Sequence, residues 1–206
     1  MMTPHYWKNA ARELAARDTV LKKLVSTFDG LALGSRGDAF QTLARAIVGQ
    51  QISVKAAQSV WNRLTVELQA MTPATVHGWD TQRLRACGLS GRKVTYLQDL
   101  AGRFHCGALD VSRWHELEDE AMIAQLTQVK GIGRWTAEMF LIFHMARPDV
   151  LPLDDIGLQR AMSLNYNKGK PLPRSRMRKI GNTWAPWRSV ATWYMWRSLD
   201  PVPVEY

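Results

Sequence analysis

Apolar side chains recur along this chain at spacings of three and four residues rather than two, as expected of helices that bury one face. Phe40, Leu43, Ala44, Ile47 and Val48 fall at i, i+3, i+4, i+7 and i+8 behind Asp38, whose short acidic side chain suits an N-cap. Ser53 predicts the cap of a following helix whose buried face reads Val54, Ala57, Trp61, Leu64 and Leu68. Thr72-Pro73 reads as a cap followed by a first-turn proline. Asp80 begins a short helix through Leu84 with Gly88 at its stop, and Ser90 opens another with Val94, Leu97, Ala101 and Phe104 inward. The periodicity predicts further helices over Glu118–Val129, Arg134–Met145, Asp154–Leu164, Arg174–Trp184 and Pro186–Leu199. Gly30–Gly37 and Asn165–Pro173 read as polar loops. There is no alternating run of useful length, no internal repeat and no low-complexity segment. The pattern therefore predicts an all-α protein of about ten short helices.

Composition narrows this picture. The 206 residues, 46% of them hydrophobic, suffice for one compact domain or two lobes sharing a core. Lys and Arg outnumber Asp and Glu by 27 to 18, a net charge of +9, which favours a polyanionic partner, either nucleic acid or a membrane surface. No apolar run approaches the roughly 20 residues of a membrane span. The stretch Met1 to Arg17 is amphipathic and charged, without a signal-peptide core, so an intracellular protein is expected. Cys87 and Cys106 are the only two cysteines, too few for a four-cysteine zinc or iron–sulfur site. Among nine tryptophans, Trp184, Trp187, Trp193 and Trp196 crowd the last quarter, with Trp135 upstream. Tryptophans usually fill cores, yet aromatic planes beside basic residues also hold unstacked bases.

The most informative string is Leu126-Thr-Gln-Val-Lys-Gly-Ile-Gly-Arg-Trp-Thr-Ala137, where two helical patterns meet at Gly131-Ile132-Gly133. Alternate glycines permit a tight turn that side chains would block. A second helix starting near Arg134 would aim its unpaired N–H groups outward, and such a terminus binds phosphate. Lys130 and Arg134 flank it with positive charge, while Thr136 and Ala137 are small enough for close helix packing. A bare Gly-x-Gly between helices is ordinarily just an αα-corner. Downstream, Val150-Leu-Pro-Leu-Asp-Asp-Ile-Gly-Leu-Gln-Arg160 places Asp154 and Asp155 at a helix start. Acidic residues there are usually caps. Asp154 fits that role, which puts Asp155 in the first turn, where the dipole favours its ionised form.

The fuller hairpin string resembles the helix-hairpin-helix of the DNA glycosylase superfamily, departing from its pattern in having Lys130 where proline is usual. Three other stretches resemble the AlkA-type DNA-3-methyladenine glycosylase II family. They are Ala44-Arg-Ala-Ile-Val-Gly-Gln-Gln-Ile-Ser-Val-Lys-Ala-Ala57, Leu153-Asp-Asp-Ile-Gly157 and Trp184-Ala-Pro-Trp-Arg-Ser-Val-Ala191. The resemblance covers roughly residues 35 to 200. It implies the helix-hairpin-helix glycosylase fold, with two closely joined helical lobes and a cleft between them. The lobes would be 36–135, ending in the hairpin, and 1–35 plus 136–206.

By the same resemblance Asp155 is the catalytic carboxylate. Breaking an N-glycosidic bond builds oxocarbenium character on the sugar, which a fixed carboxylate stabilises while orienting the attacking water. Trp135, Met139 and Trp196 fall where the family places the walls of a base pocket, and indoles favour the cationic purines that alkylation creates. Gln51 falls on the residue that fills the gap left by an extruded base. Lys130, Gly131, Gly133 and Arg134 would meet the DNA backbone. The carbonyl oxygens of Thr127, Val129 and Ile132 are the positions implied for a monovalent cation, Na or K. No other cofactor is implied. Lyase members carry a lysine nucleophile where Trp135 stands, so a monofunctional enzyme that leaves an abasic site is expected. The basic run Arg174, Arg176, Arg178 and Lys179 is open to phosphate contact or to solvation alone. The implied partner is duplex DNA carrying a damaged base, met by a monomer that binds no membrane. The setting is the cytoplasm, with the nucleoid in a bacterium or the nucleus in a eukaryote. Three rival readings stand beside this one: a glycosylase for uracil, hypoxanthine or an oxidised purine, a non-catalytic helix-hairpin-helix DNA-binding module, and a helical scaffold that binds protein.

Overall fold

The computed structural model describes residues 3–34 and 37–199. Helices α1 to α6 are Trp7–Arg17, Thr19–Thr27, Ala39–Gly49, Val54–Leu68, Pro73–His77 and Thr81–Ala86. Helices α7 to α12 are Gly91–His105, Asp119–Leu126, Arg134–Phe143, Ile156–Asn167, Arg174–Asn182 and Arg188–Arg197, and a 3-10 helix covers Val111–Glu116. There is no strand among the described residues. The all-helical expectation holds, with more and shorter helices than the sequence pattern suggested. The expected loop Gly30–Gly37 includes 35–36, and the expected stretch Met1 to Arg17 begins with 1–2; these four positions, like 200–206, lie outside the described residues.

Caps begin most of these helices. The side chains of Asp38, Ser53, Thr72, Asp80 and Ser90 each accept a backbone N–H from the first turn of the helix that follows. Asp18 does the same for α2, a helix the periodicity did not predict, accepting from both Val20 and Leu21. Asp18 follows directly on the last residue of α1, and no glycine or proline separates the two helices.

The chain divides into two compact units, 1–36 with 141–206, and 37–140. In the second unit, the predicted face of α3, Phe40 to Val48, is buried as read. For α4 the reading needs correction: Val60, Trp61, Leu64 and Leu68 are buried, whereas Val54 is 76% exposed, because the first turn projects beyond the core. On α7 the inward set is Val94, Leu97, Leu100 and Ala101, with Phe104 only half-buried. Phe104, Trp114 and Phe140 run edge to face through this core, Trp114 being fully buried. The first unit has its own aromatic core. Trp7 meets Trp193 edge-on, Tyr194 adjoins both, and Trp184 is completely enclosed. Tyr166 donates to Asp18 at 2.7 Å, tying α10 to the cap of α2, and burial with that carboxylate pushes the phenol pKa up.

Candidate active site

Within the first unit, the segment before α10 is anchored at both ends. Arg188 grips Asp149 through Nε and Nη2, each at 2.8 Å. Gln159 reaches back to donate to the Leu153 carbonyl at 2.9 Å, and the N–H of Asp155 bonds the Pro152 carbonyl at 3.0 Å. These contacts fix the approach to Asp155.

Asp155, not Asp154, is the N-cap of α10, which corrects the expectation drawn from the acidic pair. The helix starts at Ile156, one residue later than the pattern suggested for its first turn. Asp154 is half-exposed and pairs with Arg174 of α11. Asp155 is 9% exposed. Its Oδ1 accepts the N–H of Leu158 at 2.6 Å and the indole N–H of Trp196 at 2.8 Å. Two donors on one oxygen fix the rotation of the carboxylate.

Trp196, expected as an aromatic wall, is in the structure a hydrogen-bond donor to Asp155. It stacks on Phe143 with centroids 5.5 Å apart and planes 10° apart, so one indole face is already covered. Gly157 explains how the indole comes close. A Cβ there would lie 3.0 Å from Asp155 Oδ1 and 3.2 Å from Trp196 Cδ1. The glycine of the Asp-Asp-Ile-Gly string thus leaves room for the Trp196–Asp155 bond. Phe143 and Gly157 were not singled out in the sequence. The sequence signal for Gly157 is its place as the last residue of the Leu153–Gly157 string that carries the resemblance.

In the second unit, the turn 127–133 joins α8 to α9. Gly131 has φ +81°, and a Cβ there would overlap the ring carbons of Tyr96. Gly133 is different: its φ is ordinary and a Cβ would meet nothing within 4 Å. Steric necessity in the turn belongs to Gly131 alone, a correction to the reading that both glycines make the turn possible. The open space at Gly133 leaves the start of α9 accessible to a ligand. Ile132 is buried and donates to the Val129 carbonyl at 3.1 Å. Thr127 caps the C-terminus of α8, where carbonyls lack helical partners and carry the negative end of the dipole. Oxygen donors of that kind suit a hard monovalent cation.

The two basic residues of the hairpin differ. Lys130 is exposed, and its backbone N–H is held by Asp99 Oδ2 at 2.9 Å. Arg134 points its guanidinium at the Glu120 carboxylate with two N–H groups and bonds Glu138 at 2.9 Å. These carboxylates raise the Arg134 pKa and offset its charge, and Arg134 in turn lowers that of Glu120. Trp135 is 41% exposed, which sets it apart from the core tryptophans, and Met139 lies one turn further along α9, half-buried. Gln51 sits between α3 and α4 with φ +59°, exposed at a left-handed position that is uncommon for a side chain of its size.

The family model of the HhH-GPD superfamily of base excision DNA repair proteins matches residues 44–186, and the chain belongs to that superfamily. Among its relatives, it is 34% identical over 182 residues to DNA-3-methyladenine glycosylase 1 of Schizosaccharomyces pombe, covering 86% of this chain and 80% of that protein. The structure is similar to that of a DNA-3-methyladenine glycosidase from Bacillus halodurans, with a TM-score of 0.89 and 31% identity over 97% of this chain and 93% of that one. It is also similar to the Schizosaccharomyces pombe 3-methyladenine DNA glycosylase solved with abasic DNA. There the TM-score is 0.79 and the identity 31%, over 95% of this chain and all of that one. Among the described residues no helix is long and apolar enough to cross a membrane.

Proposed function

We propose that this protein is a monofunctional DNA glycosylase. It extrudes an alkylated purine of the 3-methyladenine and 7-methylguanine class from duplex DNA, hydrolyses its N-glycosidic bond and leaves an abasic site. The observation that carries this reading is the Asp155 carboxylate, nearly buried and held at one oxygen by two donors. As the C–N bond breaks, its electron pair leaves with the base and positive charge develops on the sugar. A carboxylate already fixed in place stabilises that charge without reorganising. Water then adds to the sugar carbon and gives up one proton, for which Asp155 is the nearby base. The relatives named for 3-methyladenine support the choice of base. An alkylated purine is cationic, hence already a good leaving group, and the exposed indole of Trp135 suits it by stacking.

Trp135 stands where a lyase would have its lysine, so no amine attacks the sugar and hydrolysis goes no further than base release. The reaction consumes water and calls for no redox cofactor. The carbonyls of Thr127, Val129 and Ile132 are the proposed holders of a monovalent cation that braces the hairpin. Gln51 is proposed to fill the gap left by the base, and Lys130, Gly131, Gly133 and the first N–H groups of α9 to meet phosphates. Arg134 is more than offset by Glu120 and Glu138, and joins them only by exchanging its exposed partner Glu120 for a phosphate. The partner is damaged duplex DNA, bound by a monomer inside the cell.

The test is to incubate the protein with duplexes that each carry one defined lesion, and to measure free base and alkali-labile sites. Release of 3-methyladenine or 7-methylguanine, with strands intact until alkali is added, is the expected result. Release of uracil, hypoxanthine or an oxidised purine in their place would overturn the alkylated-base assignment. Binding to damaged duplex with no base released would leave a non-catalytic DNA-binding module.

A further inference from the structure

Three residues on one face of α7 hold two separate loops. Lys93, Tyr96 and Asp99 lie at i, i+3 and i+6, so they share that face. Lys93 donates to the Val48 carbonyl at 2.7 Å, in the last turn of α3 and three residues before Gln51. Helix C-terminal carbonyls lack intrahelical partners, and a cation there is favourable. Lys93 is half-buried, and that part-burial lowers its pKa. Tyr96 covers Gly131 so tightly that no side chain fits at that position, and Asp99 holds the N–H of Lys130 at 2.9 Å. One helix thus supports both the Gln51 loop and the hairpin.

A single side chain joins these loops directly. Gln50 donates from Nε2 to the Gly131 carbonyl at 2.8 Å, across 81 positions of sequence. Gln50 caps the C-terminus of α3, and its neighbour Gln51 takes the left-handed conformation. A left-handed glutamine persists only where its surroundings hold it. Those surroundings are Lys93 on one side of the loop and the Gln50 amide on the other.

We propose that Gln50 is a positioning residue that couples the hairpin to the Gln51 loop. Grip on the backbone and entry of Gln51 into the duplex then occur as one event. Gln50 touches neither the sugar nor the base in this scheme. Its amide fixes where Gln51 stands relative to the backbone N–H groups of the hairpin. The inference rests on the proposed extrusion of a base from duplex DNA, and it assigns the residue that makes extrusion efficient.

The experiment compares wild type with Gln50→Met, which keeps the length of the side chain and removes the donor. A second variant, Lys93→Met, loosens the same loop from its other side. Each is given two duplexes carrying 7-methylguanine, one with the lesion paired to cytosine and one with it opposite an abasic site, where extrusion is cheap. Single-turnover release, affinity for undamaged duplex and Tm are recorded. Gln50→Met is expected to slow release from the paired duplex about fivefold, the worth of one net hydrogen bond. Release opposite the abasic site, affinity for undamaged duplex and Tm should stay within about twofold or a few degrees of wild type. Combining both variants should cost less than the product of their separate effects, since they act on one loop. Equal slowing on both duplexes would overturn the proposal and show a general structural role. Unchanged release from the paired duplex in Gln50→Met would overturn it alone, with the glycosylase reading intact. A wild type that releases no base from either duplex would overturn both.

Discussion

At the scale of single residues, Asp155 carries two duties, and they can be separated. It caps α10 through Oδ1, and it is the proposed catalytic carboxylate. Asparagine caps a helix about as well as aspartate. Asp155→Asn is therefore expected to fold with Tm close to wild type yet lose base release about a hundredfold or more, since its neutral amide cannot stabilise the sugar cation. Asp155→Ala should lose release equally and also about 1 kcal/mol of stability with the cap. Denaturant melts and single-turnover rates on the same preparations check both. Normal release by either variant would remove Asp155 from the chemistry. Trp196 needs a similar separation, since it both stacks on Phe143 and donates to Asp155. Trp196→Phe preserves a ring and deletes the donor. If orientation of the carboxylate is the larger duty, release should fall about tenfold for cationic 7-methylguanine and neutral hypoxanthine alike. A loss confined to the cationic base would return Trp196 to the role of a wall for positive charge. The aspartate was legible in the sequence because a resemblance marked it. Its bond to Trp196, across 41 positions, was not, because spacing along a chain does not encode which distant helix a side chain meets.

At the scale of elements, caps and periodicity made most helices readable, since both are local properties of sequence. Asp38, Ser53, Thr72, Asp80 and Ser90 all cap as expected, and the α3 stripe is buried as read. Failures came where local rules gave no signal. Helix α2 follows α1 with only its own cap between them, and the 3-10 helix is too short for a period to show. The exposed first turn of α4 continues an apolar stripe past the core it serves. The hairpin glycines illustrate the same limit, for two identical residues two positions apart have different reasons to be glycine. Gly131→Ala should cost about 2 kcal/mol, from the left-handed backbone and the Tyr96 ring. Gly133→Ala should leave stability within about 0.5 kcal/mol, because its Cβ meets open space. If that space admits a phosphate, the same variant should still weaken binding to undamaged duplex. Thermal melts paired with binding isotherms separate the two effects. A Gly133 variant with unaltered affinity would place the backbone contact elsewhere.

At the scale of the whole molecule, the count of 27 Lys and Arg overstates the cations on offer to DNA. Arg134 is matched by Glu120 and Glu138, Arg174 by Asp154, and Arg188 by Asp149. Exposed cations such as Lys130, Arg176, Arg178 and Lys179 carry positive charge on the surface. Binding should weaken as salt rises, with a slope on logarithmic axes that counts the phosphates engaged. The outcome of the reaction is a property of the whole chain in a further sense, because it depends on a group being missing from one place. A lyase needs an amine within reach of the sugar carbon to form a Schiff base, which borohydride reduces to a permanent adduct. At the position that the resemblance implies for that amine the chain has Trp135, and an indole nitrogen is no nucleophile. Incubation of wild type with lesion duplex and borohydride should therefore trap no protein on DNA. The strand should stay whole until alkali or heat cleaves the abasic site. Trp135→Lys supplies the informative contrast: an adduct in that variant and none in wild type would show that only the amine was lacking. An adduct in wild type would overturn the monofunctional assignment and direct attention to another lysine near the sugar.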